Sequence, residues 1–296
     1  MKKSLIFIVF ACMMVTFACG RSNASKSEVP SDNNKADVIA SVEELPYMKE
    51  VTDTTVNGVK FRKYYYEITD SGNLFDEYDG TSQTVEFTST ICFVLPAGDD
   101  AATEKIRQDL LKKFDYNSKD LEQKLDKEYA RDPKVYDDPE DMQESELEIM
   151  PISIVGDYVS FCTKSYFVFV EQQAHGWTTF ESSIYNMKTG EKISQDDILD
   201  ASETNRMAVA NKLRSLLVEY LKSLDVDESD INVYDVKYLV NGNLYLSDGG
   251  LVYCYDPSEI VPYMIPAPEL ELSKEWLKPY LKVDGPLYQY WFGKKK

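Results

Sequence analysis

The sequence predicts an α+β fold made of two successive modules, each an antiparallel sheet packed against helices. Three observations carry the prediction. Alternating or continuously apolar runs rich in β-branched and aromatic residues mark strands at 59–68, 85–95, 149–155, 157–171 and 178–187. Apolar residues at helical spacing mark helices at 99–114, 118–130 and 203–224. Strands then helices then strands occur twice in order, which is the pattern of segregated α+β layers.

Residues 1–18 read as an export signal. Lys2 and Lys3 precede an apolar run over 5–17, too short to span a bilayer, and Ala18 precedes Cys19. A cysteine after a small residue points to lipoprotein processing, with Cys19 as the lipidated first residue of the mature chain; Cys12, after Ala11, ranks second because its apolar run is shorter. Lipid chains on one cysteine would hold the protein at a membrane. Residues 19–45 are polar and form a flexible tether. No acidic run follows Cys19, which favours the periplasmic side of an outer membrane.

The folded sequence begins near Pro46, with an N-terminal module over 46–187 and a C-terminal module over 188–296. Residues 91–95 (Ile91, Cys92, Phe93, Val94, Leu95) read as the centre of a sheet. Pro96, Ala97, Gly98 and Asp99 make a turn. The helix after it sets Ile106, Leu110, Leu111 and Phe114 on one face, and the next one Leu121, Leu125 and Tyr129. Residues 131–148 hold eight acids, two prolines and two bases, and are expected to form an exposed acidic insertion. A hairpin turns at Gly156-Asp157, and Lys188-Thr189-Gly190-Glu191 closes the strand at 178–187. Ser194 and Ser202 are positioned as N-caps of a short and a long helix. Strands follow at 233–240, 244–246 and 251–255, then a proline-rich irregular stretch, a short helix at 275–281 and a last aromatic strand carrying Tyr288, Tyr290, Trp291 and Phe292.

The formal net charge is −19; cleavage before Cys19 removes two of the 32 bases and none of the 51 acids, leaving −21. That balance argues against nucleic acid, which is gripped by clustered Lys and Arg, and favours basic partners. Cys92, Cys162 and Cys254 lie in apolar surroundings and read as small hydrophobes. A Cys162–Cys254 bridge is the alternative that export permits.

Three segments in order, Ala174-His175-Gly176-Trp177, then residues 185–193 through Lys188-Thr189-Gly190, then Asp196-Asp197-Ile198-Leu199, resemble the extracellular domain of RsiV-like anti-sigma factors. A second anchor, Asp248-Gly249-Gly250-Leu251-Val252-Tyr253 with Asp256-Pro257, Glu259-Ile260 and Pro262-Tyr263, is similar to that family's Gly-Leu-aromatic and Pro-Tyr signature. The resemblance covers 150–281 and extends more weakly back to Val59. Ser258 stands where the family has tyrosine, and Pro266-Ala267 where it has glycine. It implies an extracytoplasmic binding domain whose best-known ligand is lysozyme, a basic protein, and which also occurs beside polysaccharide-deacetylase domains. The family's sigma-binding segment and membrane helix have no counterpart in this sequence, so the anti-sigma role is not expected to carry over.

The chemical motifs are sparse. His175 is the one histidine, so a zinc centre of two or three histidines and a serine triad without a Gly-x-Ser-x-Gly elbow are both disfavoured. Residues 225–230 mimic a calcium loop but lack the glycine and terminal glutamate it needs, and read as a helix exit. No catalytic residue, cofactor or metal is expected. His175, Gly176 and Trp177 are the candidate contact residues, with turn stabilisation as the competing role for His175. The expected function is a non-enzymatic, lipid-anchored envelope protein that binds lysozyme, another cationic protein or a peptidoglycan fragment. A glycan-processing enzyme and an assembly lipoprotein are the rivals.

Overall fold

The computed structural model describes residues 46–75, 80–170, 176–226 and 236–293, which fall in one compact unit. The expected signal (1–18), the expected lipidation site Cys19, the expected tether (19–45) and His175 lie outside the described residues.

A large sheet of eight strands dominates. β1 (Tyr47–Val56) and β2 (Val59–Phe75) form a hairpin that turns at Asn57 and Gly58, both with positive φ, the geometry that fits a two-residue turn to the strand twist. β3 (Ser82–Pro96) pairs antiparallel with β2 along its whole length. The chain then leaves the sheet through α1 (Ala101–Lys112) and α2 (Leu121–Tyr129). It returns by β4 (Val135–Tyr136), which pairs parallel with β2, and β5 (Gln143–Val155), which pairs parallel with β3. β6 (Tyr158–Phe169), β7 (Trp177–Asn186) and β8 (Lys192–Ile193) complete the sheet antiparallel, in the order β1-β2-β3-β5-β6-β7-β8.

The crossover helices cover one face. Ile106, Leu110 and Leu111 of α1 and Leu121 and Leu125 of α2 are fully buried against Tyr66, Ile91, Phe93, Ile149, Phe161 and Tyr185. Burying each such side chain contributes roughly 1.5–3 kcal/mol. Asp100 caps α1, its carboxylate accepting from the Thr103 amide at 2.9 Å. Past α2, Arg131 makes a two-pronged ion pair with buried Asp70 (2.9 and 2.7 Å), which also accepts from the Lys134 amide at 2.7 Å.

A second sheet, β9 (Asn243–Leu246), β10 (Gly250–Cys254) and β11 (Glu269–Ser273), is antiparallel in the order β11-β10-β9. Leu213, Leu217 and Leu221 of α4 (Glu203–Ser223) pack on Leu246, Leu251, Tyr253 and Leu272, and the same core takes in Val155, Tyr158 and Ile184 of the large sheet. β9 lies across the face opposite α1 and α2: the Leu246 amide donates to Ser160 Oγ at 3.0 Å and Ser182 Oγ donates to the Leu244 carbonyl at 2.8 Å. α3 (Gln195–Ile198) carries the expected Ser194 cap as a full capping box, and Ser202 caps α4. α5 (Lys274–Leu277) and α6 (Pro286–Phe292) close the chain.

The architecture is the α+β class expected, and four details differ. Residues 143–148 of the supposed acidic insertion are the first half of β5, because Leu147 and Ile149 alternate with the glutamates and dock under α1 and α2. Residues 236–241 form 3-10 turns where a strand was expected. The C-terminal aromatics sit on a helix rather than a strand; Pro286 starts it and buried Leu287 anchors it, with Tyr290 edge-on to Tyr158. β1, β4, β8 and β11 were not anticipated. Among the described residues Cys92, Cys162 and Cys254 are half-buried thiols that form no disulfide, and Cys254 donates to the Asn243 carbonyl at 3.5 Å instead of bridging to Cys162.

Candidate binding face of the large sheet

The period of two along Glu144-Ser145-Glu146-Leu147-Glu148-Ile149 sends three glutamates to the face away from α1 and α2. Strand register sets their neighbours. Tyr65, Cys92, Glu148 and Lys164 form one row across β2, β3, β5 and β6; Glu67, Thr90, Glu146 and Tyr166 form the next; beyond the last β3–β5 pair, Thr69 pairs with Thr88 and Glu144 with Val168. Glu86 lies two residues before Thr88 on the same face of β3. Five carboxylates thus share a four-strand face with two lysines, Lys164 and Lys63, the latter set over the Tyr65 ring and paired with Glu50 of β1.

The pairing within it is uneven. Lys164 Nζ donates to Glu146 Oε2 at 2.5 Å and stands 3.7 Å from Glu148 Oε2. Burial pushes the Glu148 carboxyl above the ordinary carboxylate range; Lys164 opposes this, and the adjacent Glu146 adds to it. Tyr65 donates to Glu67 Oε2 at 2.5 Å, and burial together with Glu67 pushes its phenol up. The Cys162 thiol is pushed up to about 11 by burial, and that of Cys254 to about 12. Neither therefore has the thiolate character of a nucleophile at neutral pH.

At its outer end the face deepens into a groove of about 670 Å³, lined by Glu86, Glu144, Tyr166, Phe169, Gly176 and Tyr263, among others. The segment after β10 forms one wall. Asp256 Oδ1 accepts from the Phe180 amide at 2.7 Å, and Tyr263, 61% exposed, stands beside Tyr166. Gly176 is packed on the Tyr166 ring, where an added Cβ would lie 2.2 Å from a ring carbon.

Of the three contact residues expected from the sequence, Gly176 lines this groove. Trp177 belongs to the opposite face, half-exposed and stacked on Phe167 with ring centroids 5.2 Å apart. Sequence reading missed Glu86, Glu144, Glu146, Glu148 and Tyr166. The signal was present as the alternation at 144–149, hidden by the acidity of the residues before it.

Among the described residues no group of three or more His, Cys, Asp or Glu side chains is placed to hold a metal ion. No helix among them is long and apolar enough to cross a membrane. Glu146 and Glu148 reach one shared ammonium, that of Lys164, which ties the two carboxylates into a single charge cluster on the sheet.

No protein-family model matches the sequence, and no curated protein matches it. Solved structures do. A DUF3298 family protein from Bacteroides fragilis is similar with a TM-score of 0.52 at 12% identity, over 82% of this chain and 97% of the other. One from Pseudomonas aeruginosa is similar with a TM-score of 0.49 at 15% identity, over 81% and 95%. At such identities the likeness to the first concerns the fold alone.

Proposed function

We propose that this chain is an exported, lipid-anchored binding protein of the cell envelope. On this reading it captures a cationic protein, with lysozyme the first candidate, on the outer face of its large sheet and breaks no bond itself. The observation that carries the reading is the excess of glutamates, five against two lysines, on one face of β2, β3, β5 and β6, beside a groove walled by tyrosines. Opposed charge on two surfaces steers association and fixes register. The RsiV-like sequence segments and the DUF3298 fold of the structural neighbours are compatible with it.

Titration of the protein with lysozyme across ionic strength tests the reading. Binding that weakens steeply as salt rises is expected, since surface charges are screened within about 10 Å at 0.1 M. No binding at low salt removes the lysozyme version.

A specific observation favours a second reading, a glycan-processing enzyme: the Glu146–Glu148 pair holds one carboxyl in a raised range. Release of soluble fragments from peptidoglycan, abolished by Glu148→Gln, would establish it over the binding role. Both carboxyls reach the same Lys164 ammonium, at 2.5 and 3.7 Å, an internal ion cluster rather than two carboxyls facing each other across a substrate, so binding is preferred.

A further inference from the structure

We propose that the groove at the outer end of the large sheet receives a single arginine side chain of the partner. This rests on the binding reading above and names what that face grips.

Glu86 and Glu144 are both exposed, sit on adjacent strands and look into the same groove. Elsewhere on the face the carboxylates are answered from within: Lys164 takes Glu146 and Glu148, and Tyr65 takes Glu67. Among the described residues no lysine or arginine pairs with Glu86 or Glu144, so this end of the face keeps its charge for an incoming cation. A carboxylate accepts two parallel hydrogen bonds from a guanidinium, and two carboxylates on neighbouring strands can share its five donors.

The remaining lining selects the shape of the cation. Tyr166 and Tyr263 put aromatic rings into the lining, and an aromatic ring favours a planar guanidinium over a compact, strongly hydrated ammonium. Val168, Phe169 and Val170 supply apolar surface for the methylene stem. Gly176 keeps the Tyr166 ring in place, since any side chain there would displace it. Protein interfaces concentrate their affinity in such aromatic-lined pockets, where arginine is enriched.

The test uses the whole chain with amidated tetra-arginine and tetra-lysine peptides at low salt, and lysozyme in parallel. Glu86→Gln and Glu144→Gln are each expected to weaken tetra-arginine binding about tenfold, the loss of one charge-assisted contact. Glu275→Gln, the same charge change on α5, is expected to leave it within about twofold. Tetra-lysine should bind at least about fivefold more weakly than tetra-arginine. Equal affinity for the two peptides, or equal losses in Glu275→Gln and Glu144→Gln, overturns the proposal. Lysozyme that binds wild type and both groove variants alike also overturns it, while leaving the wider acidic face as the binding surface. Lysozyme that fails to bind while tetra-arginine does supports the pocket and retires only lysozyme as partner.

Discussion

Replacing Asp70 by Asn should be among the most destabilising single-atom changes available to this protein. The Asp70 side chain is 4% exposed and accepts three hydrogen bonds, two from Arg131 and one from the Lys134 amide. The amide of Asn keeps one acceptor but turns an NH2 group toward the guanidinium, leaving a cation without its partner. Breaking a buried pair from one side costs 3–5 kcal/mol, and Arg131, 22% exposed, retains some water, so about 3 kcal/mol is expected. At roughly 2–4 °C per kcal/mol for a unit of this size, the Tm should fall by about 6–12 °C. pH supplies the discriminating axis. Burial alone would raise the Asp70 carboxyl, but Arg131 and the Lys134 amide outweigh it and hold the carboxyl below its ordinary value. A depressed carboxylate contributes stability that is complete above the unfolded value near 3.9 and disappears as pH falls through the folded value. Calorimetric scans of wild type and variant from pH 7 to pH 3 should show the gap in Tm constant down to about pH 5 and narrowing below pH 4. A gap of the same size at pH 3, or one under about 1 kcal/mol at pH 7, would refute the account.

Other expectations follow from single sites. Gly190 has φ +69°, and a Cβ there would lie 2.5 Å from the Ala102 carbonyl oxygen; Gly190→Ala should cost about 2 kcal/mol by denaturant unfolding, and an unchanged midpoint would contradict this. Glu148, pushed up mainly by burial, should be stabilising when protonated, with that contribution lost as pH rises through its raised folded value. Glu148→Gln should therefore flatten the decline in Tm above about pH 5, and carboxyl NMR should find Glu148 titrating above 4.3. Cys162 and Cys254, at about 11 and about 12 through burial, should react slowly with a thiol reagent at pH 8 and quickly in denaturant; fast native labelling would show them more open than the structure has them.

Much of the fold could be read from local chemistry. The α1 and α2 stripes, the Ser194 and Ser202 caps and the apolar run at 91–95 each state their structure within a dozen residues. What escaped depends on partners remote in sequence. β1 exposes residues on both faces and owes its place to the Asn57-Gly58 turn and the register with β2, so no apolar pattern announced it. The glutamates of β5 looked like solvated charge because composition over 131–148 drowned the alternation of Leu147 and Ile149. The site itself was half legible. Gly176 was marked by its place beside a strand end, but Glu86 and Tyr166 meet only because β3 and β6 flank β5, a topology that no spacing along the chain encodes.

The hydrogen bond between Asp256 and the Phe180 amide has an implication for biogenesis. Through it, and through Tyr263, the segment following β10 completes a cleft whose floor was laid down more than a hundred residues earlier in β3 and β5. A growing polypeptide halted after β7 would own the floor and lack the rim. On the proposed binding role, ligand capture is therefore reserved for the finished molecule, and a truncated product is expected to be inert however well its early strands had assembled.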